Sequence, residues 1–200
     1  LPYEQGSEEL KGYIYITGTG SDPGLLNNLD DPLFGDPPTL GACMTNIRDF
    51  VDPGDWLFVV TGKTPSVQQY VLGGLRVAEK IDALAAHGRF PENRLAQDES
   101  GFVRGNIIVD SDGKQHPLDT HSPDTFKRRV RNYIVGDEAA ALQTVREVEL
   151  GRERTLRKLS EMFEKPGNRP IDIMGRQRKL DEGQVHGLLD WLHGIKAEAR

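Results

Sequence analysis

Cysteine occurs once in this 200-residue chain, as Cys43. A lone thiol excludes a disulfide framework and any zinc site built from several cysteines, and it fits a reducing, cytoplasmic setting. Long apolar runs are missing too: none approaches the roughly 20 residues that a membrane-spanning helix requires. Basic residues are absent from the first ten positions, which hold three glutamates, so no secretory leader is read there. A chain that opens on Leu1 suggests that the true N-terminus lies further upstream. Apolar residues make up only 36%, and Gly and Pro together supply 34 of the 200 positions, so one loop-rich domain with a sparing core is expected.

The net charge of −6 hides an asymmetry. Residues 1–126 carry 9 Lys and Arg against 19 Asp and Glu, a net of −10, whereas residues 127–200 carry 16 against 12, a net of +4. An acidic total argues against bulk, sequence-blind duplex binding, which needs many phosphate contacts. The basic second part leaves room for a local phosphate-binding face.

Tyr13-Ile14-Tyr15-Ile16-Thr17 is aromatic and β-branched and predicts a strand over 11–17. Gly18 to Gly24 crowds turn residues together, and a long loop rich in Asp, Asn, Pro and Gly runs on to Pro37-Pro38. Cys43, Ile47 and Phe50 recur with the spacing of one buried helix face, which Asp52-Pro53-Gly54-Asp55 ends. Trp56 to Thr61 reads as a strand buried on both faces. Tyr70 to Ile81 reads as another, in which Gly73-Gly74 marks a bulge or a close backbone approach. Residues 82–104 predict a short helix and a surface loop. Asp110-Ser111-Asp112-Gly113 between strand-like runs predicts a hairpin, and Val130 to Val135 the last strand. From about Asp137 the pattern turns helical. Leu156, Leu159 and Phe163 share a face that ends at Pro166-Gly167, and a final helix opens on Asp181 with Gln184 completing a capping box. Strands first and helices afterwards predict a single α+β domain over 1–200. It has a small mixed or barrel-like sheet in a β-rich part over 1–136, then a helical C-terminal part over 137–200.

Several motifs fail on inspection. Gly62-Lys63-Thr64 looks like the close of a phosphate loop, but Leu57 stands where the first glycine belongs and Pro65 follows instead of a helix. Gly18-Thr19-Gly20-Ser21-Asp22-Pro23-Gly24 follows a strand, yet Pro23 takes the place of the third glycine of a dinucleotide fingerprint. A structural turn, or an anion-binding backbone nest, is the reading. His116, Asp119 and His121 lack the further ligands of a metal site; no metal is expected, and no cofactor motif is present. There is no Gly-x-Ser-x-Gly elbow, and Cys43 reads as a buried structural thiol. Lys127, Arg128, Arg129, Arg131, Arg176, Arg178 and Lys179 are candidate nucleic-acid contacts, because arginine forks suit phosphates and base edges. A solvated surface is the alternative.

The stretches Tyr13 to Gly20, Thr39 to Cys43 with Ile47-Arg48, Gly54 to Gly62 and Leu75 to Ile81 occur in an order that resembles the nucleotide modification associated domain, type two. Gly105 to Ile108, Tyr133 to Gly136 and Gly175-Arg176-Gln177 extend the likeness over most of residues 11–195. That family is linked to genes that modify bases in phage and bacterial DNA. The order of elements is also similar to the PUA-like barrels, including the EVE, ASCH and YTH types, which take a nucleotide or flipped base into a pocket on a small barrel.

These likenesses imply a nucleotide- or modified-base-binding domain linked to DNA base modification or phage defence. Tyr13, Tyr15 and Trp56 would stack a base, although core packing competes for Trp56. Thr17, Asn27, Asn28 and Thr39 would read its edge. Lys63 and Arg48 would hold phosphate beside Thr61 and Gly62, and alanine at either cation is expected to weaken binding without lowering stability. Two alternatives stand beside it. One is a hydrolase or transferase acting on nucleotides or nucleic acid, with Asp22, Asp55 or His121 in the chemistry. The other is a protein-interaction module whose helical end docks a partner, since Trp191 lies off the apolar stripe of the last helix.

Overall fold

The structure is a computed structural model and describes residues 10–26 and 30–200. The described residues form β1 (Gly12–Ile16), α1 (Pro23–Leu26), β2 (Thr39–Leu40), α2 (Thr45–Phe50), β3 (Trp56–Val60), β4 (Val71–Ile81), α3 (Ala83–Arg89), β5 (Ala96–Gln97), β6 (Val103–Arg104), α4 (Pro123–Arg129), β7 (Tyr133–Ala141), α5 (Val145–Phe163), α6 (Pro170–Met174), β8 (Gln177–Leu180) and α7 (Glu182–Glu198). Six strands make one mixed sheet in the order β2-β7-β4-β3-β1-β8, and β5 pairs with β6 apart from it. Only β1 and β3 run parallel; every other neighbouring pair in the sheet is antiparallel. The fold is thus α+β on a mixed sheet, and the sheet is not closed into a barrel.

Register sorts the side chains into two faces. Directly paired residues share a face, so Gly12, Ile14 and Ile16 of β1 lie with Trp56, Phe58 and Val60 of β3, while Tyr13 and Tyr15 lie with Leu57 and Val59. The first face carries α5 and α7. A Cβ on Gly12 would overlap Val185 of α7, the Trp56 and Phe58 rings stack at 5.7 Å, and Thr155 of α5 accepts from the Val71 amide at 2.9 Å. The second face carries α2. Asn46 donates to Gln177 of β8 at 2.8 Å, and Lys80 of β4 donates to the Val51 carbonyl at 2.7 Å, so α2 crosses over β1 and β3. Gly74 leaves room for the Phe58 ring and Gly73 for the Ala140–Ala141 backbone, the close approach expected there.

The sequence expectations fare unevenly. β1, β3 and β4 form where the apolar runs lie, and the α7 capping box closes in both directions at 2.8 and 3.1 Å. Phe50 does not share a buried face with Ile47; it is 58% exposed, and Arg48 is buried in its stead. The Asp110–Gly113 turn forms, with Asp110 accepting from Asp112 and Lys114, but a single bridge between Val109 and Gln115 replaces the expected hairpin strands. Val130–Val135 is not the last strand. β7 runs on to Ala141, across the expected 136/137 boundary, and β8 lies between helices and pairs with β1. Among the described residues no helix is long and apolar enough to cross a membrane.

Candidate functional site

A knot of polar groups holds α2 against the sheet. The Asp31 carboxylate accepts from three successive amides, Gly41 at 2.7 Å, Ala42 at 2.9 Å and Cys43 at 2.5 Å, and from the Asn106 amide group at 3.1 Å. The carbonyls of the same loop face the other way. Arg48, fully buried on α2, donates all five of its N–H groups to main-chain carbonyls: Ala42, Cys43, Arg129, Arg131 and Asn132. Burial works against its charge and Asp31 supports it, with the net effect that the guanidinium is held below its ordinary pKa. Thr39, Asn93, Asn106 and Tyr133 extend the knot, with Tyr133 donating to Asn106 at 2.8 Å and Asn106 to Thr39 at 3.0 Å. Burial pushes the Tyr133 phenol up to about 12. The Cys43 thiol is likewise pushed up to about 12 by burial and by Asp31. Beside them the Tyr15 hydroxyl is buried without a hydrogen-bond partner among the described residues, its pKa driven well up by burial.

Parallel pairing places the carboxyl ends of β1 and β3 side by side. The loops leaving them are knitted together by main-chain bonds: Gly20 donates to Lys63 at 2.9 Å, Gly62 to Ser21 at 2.8 Å and Ser21 to Gly18 at 3.0 Å. A Cβ on Gly62 would overlap the Gly18 carbonyl, so Gly62 is required by this crossing of backbones. Gly18, Thr19 and Lys63 are exposed on the outer side. Arg176, exposed at the start of β8, joins them through its carbonyl, which accepts from Ile16 at 3.0 Å. Neither Lys63 nor Arg176 has a carboxylate partner among the described residues.

The expected ligand-binding residues divide. Lys63 lies at these strand ends and is open; Thr17 lies there but is buried, as is Thr61, whose hydroxyl accepts from the Tyr70 amide at 3.1 Å. Tyr15 and Trp56 are packed within the core, 1% and 3% exposed, and present no ring face to a base; Tyr13 is half-buried. Thr39 belongs to the polar knot on β2, at the far edge of the sheet. Arg48 has no donor left for a phosphate. Asn27 and Asn28 lie outside the described residues.

The basic residues also separate. Arg178 lies over the Phe163 ring at 4.4 Å on the α5 face, away from α2. Lys179 shares the Tyr13 face and lines a groove of about 770 Å³ at the amino ends of β1 and β3, together with Lys11, Asp52 and Asp55. That groove is charge-balanced, since Lys11 pairs with Asp52 at 3.3 Å and Asp55 at 3.8 Å. Arg129 is anchored to the Ala42 carbonyl at 2.9 Å and the Thr125 hydroxyl at 3.0 Å. Lys127, Arg128 and Arg131 are exposed, and Arg128 comes within 3.6 Å of Asp49 on α2.

The candidate catalytic groups are engaged in other ways. Asp22 is fully buried in a two-bond pair with Arg152, both at 2.8 Å. Asp55 caps the turn before β3 by accepting from the Asp52 amide at 2.9 Å, and burial raises its pKa. His121 meets Asp119 at 2.6 Å, and the other Asp119 oxygen accepts from the Gln115 amide group at 2.8 Å. Among the described residues no group of three His, Cys, Asp or Glu side chains is placed to hold a metal ion. The knot around Arg48 and Asp31 escapes sequence reasoning because most of their partners are main-chain amides and carbonyls, which no side-chain motif advertises. Arg176 was visible as a cation, but its position at the β1 end follows only from β8. Comparison with family models, curated proteins and solved structures gives no match for this chain.

Proposed function

We propose that the chain binds a nucleotide or modified base at the carboxyl ends of β1 and β3, in the setting of DNA base modification or phage defence. The observation that carries this reading is a pair of cations, Lys63 and Arg176, with no carboxylate partner among the described residues, at the ends of the two strands that flank β1 and beside exposed Gly18 and Thr19. Such an arrangement lacks an anion. The Lys63 ammonium serves phosphate as a point charge; the Arg176 guanidinium can fork onto phosphate or lie flat against a base. Gly18 and Thr19 supply an exposed amide and hydroxyl for a base edge. The resemblance to the nucleotide modification associated domain, type two, supports the ligand class. The likeness to PUA-like barrels supports a base entering at one end of a small sheet.

A thermal-shift panel of nucleotides and short oligonucleotides, unmodified and base-modified, tests the reading. A ligand at one hundred times its Kd stabilises by about 2.7 kcal/mol, roughly 5–10 °C for a chain of this size. A base-selective shift is expected, reduced in Lys63→Ala and Arg176→Ala while the unliganded melting temperature stays in place. A flat panel on folded protein, or a shift indifferent to both substitutions, refutes it.

A further inference from the structure

We infer that the outer edge of β8 docks an extended acidic peptide, which joins the sheet as a further strand and sets successive carboxylates against Arg178 and Lys179. The inference goes beyond the proposed nucleotide site and uses neither Lys63 nor Arg176. Main-chain geometry shows which groups are open. The Trp56 amide donates to the Lys11 carbonyl at 3.0 Å and the Thr17 amide to Val60 at 3.0 Å, so odd-numbered residues of β1 turn their main-chain groups to β3. Even-numbered residues turn theirs to β8, as Ile16 does in donating to Arg176 at 3.0 Å. In the β1–β8 register Ile14 faces Arg178, Tyr13 faces Lys179 and Tyr15 faces Gln177. Bonded and non-bonded pairs alternate in an antiparallel ladder, so Arg178 spends its main-chain groups on β1 while Gln177 and Lys179 point theirs outward. Those outward amides and carbonyls have no hydrogen-bond partner among the described residues. The opposite edge of the sheet is closed, since Leu33 and Thr39 exchange both main-chain bonds at 2.9 Å on the outer side of β2.

The side chains select the partner. Arg178 and Lys179 are exposed, have no carboxylate partner among the described residues, and stand on opposite faces: Arg178 over the Phe163 ring of α5, Lys179 with Tyr13 on the α2 face. Asp181, which follows this strand, is turned to its own helix as the cap of α7. A second copy of β8 is a poor partner. Antiparallel registers centred on 177, 178 or 179 set Arg178 against Arg176, Arg178 against Arg178, or Lys179 against Lys179, and like charges directly opposite are destabilising. Charge on this edge thus blocks self-pairing. Its complement is a strand with acidic residues at two successive positions, because neighbours in a strand point to opposite faces.

Fluorescence anisotropy with the full chain tests this, using labelled Thr-Val-Glu-Glu-Val-Thr and its counterpart with lysines in place of the glutamates. The acidic peptide is expected to bind about tenfold or more tightly than the basic one. Two N-methylated forms of the acidic peptide, each blocked on one set of alternate amides, should differ. Methyl groups on the set facing the edge cost about tenfold or more, and those on the set facing away cost little. Arg178→Glu with Lys179→Glu should invert the preference between the acidic and basic peptides. In the protein alone the Arg178 amide should be protected from hydrogen exchange and the Gln177 and Lys179 amides should exchange freely; the acidic peptide should slow both. Equal binding of the two N-methylated forms means attraction by charge alone and overturns strand addition. Equal affinity for the acidic and basic peptides, or no binding of either, overturns the proposal as well. So do protected Gln177 and Lys179 amides in the peptide-free protein, which mean an edge already covered: by a second copy where sedimentation gives a dimer, by this chain itself where it gives a monomer. No nucleotide enters these measurements, so their failure leaves the strand-end site standing.

Discussion

Arg48 offers the sharpest test of the structural reasoning, because sequence and structure assign it opposite consequences. As a phosphate contact it would be replaceable by alanine without loss of stability. In the structure it is fully buried and spends five donors on five carbonyls drawn from the 42–43 loop and from residues 129–132. Arg48→Ala removes all five bonds, leaves carbonyls from two separate segments without donors, and takes the nearby positive charge away from buried Asp31. Each stranded buried acceptor costs about 1–3 kcal/mol, but water entering the vacated space recovers part of it. Removing one member of a buried charged network costs about 3–5 kcal/mol in comparable settings, and we take that as the expected loss. At roughly 2–4 °C per kcal/mol the midpoint should fall by about 6–20 °C. Arg48→Lys should recover little of it, since an ammonium brings three donors to five acceptors and no planar fork. Urea denaturation followed by tryptophan fluorescence gives the free energy directly. A loss below about 1 kcal/mol, with the slope against urea unchanged, would falsify the account of α2 as a helix pinned by this side chain.

Four further outcomes are expected of the same structure. With its thiol pushed up to about 12, Cys43 should react with iodoacetamide at pH 8 roughly a thousandfold more slowly in the native protein than in urea; equal rates contradict the burial described. Tyr15→Phe removes a buried hydroxyl that has no partner among the described residues, so stability should hold or rise by up to about 1 kcal/mol; a marked loss means that the hydroxyl is bonded after all. Burial opposes the charge of Glu147, but the Gln143 and Thr144 amides and Lys196 outweigh it and hold its carboxyl below the ordinary value of 4.5. A depressed carboxylate stabilises above that value and loses its contribution as pH falls through the folded-state pKa. The advantage over Glu147→Gln, about 1 kcal/mol at pH 7, should therefore fade below about pH 4.5; an advantage that persists in acid contradicts the assignment. Gly62→Ala should cost about 3 kcal/mol or prevent folding, because the added methyl meets main chain and not a movable side chain; calorimetry showing a near-native midpoint removes the crossing.

Where local pattern and burial agree, the sequence is a good guide. Trp56 to Val60 is apolar at every position because β3 is central and covered on both faces. Asp181 and Gln184 announce α7 because capping is a four-residue interaction. β8 stayed hidden for the opposite reason: Gln177-Arg178-Lys179 lies at a sheet edge, where polar side chains are tolerated and discourage stray pairing. The far end of β7 is hard to read because Asp137, Glu138 and Ala139 are exposed there and lack a β-forming signature. At the candidate site, Lys63 was legible as a cation leaving a strand. The retreat of Tyr15 and Trp56 into the core was not, since an aromatic in a strand reads alike whether it faces a ligand or a helix. Arg48 and Asp31 were illegible in principle: nearly all their partners are main-chain atoms, and several lie more than 70 residues away.

The pairing of β1 with β8 has a consequence for how the protein is made. Gly12 meets Leu180, so β1 waits for 168 further residues to be made before its outer edge is covered. At roughly 5–20 residues per second that wait lasts about 10–30 s. Throughout it Gly12 to Ile16, aromatic and β-branched, stands at an open edge with unpaired main-chain groups. The outer edge of β1 is thus covered only once residues 177–180 have been made, and a chain halted in the middle of α5 leaves that edge open.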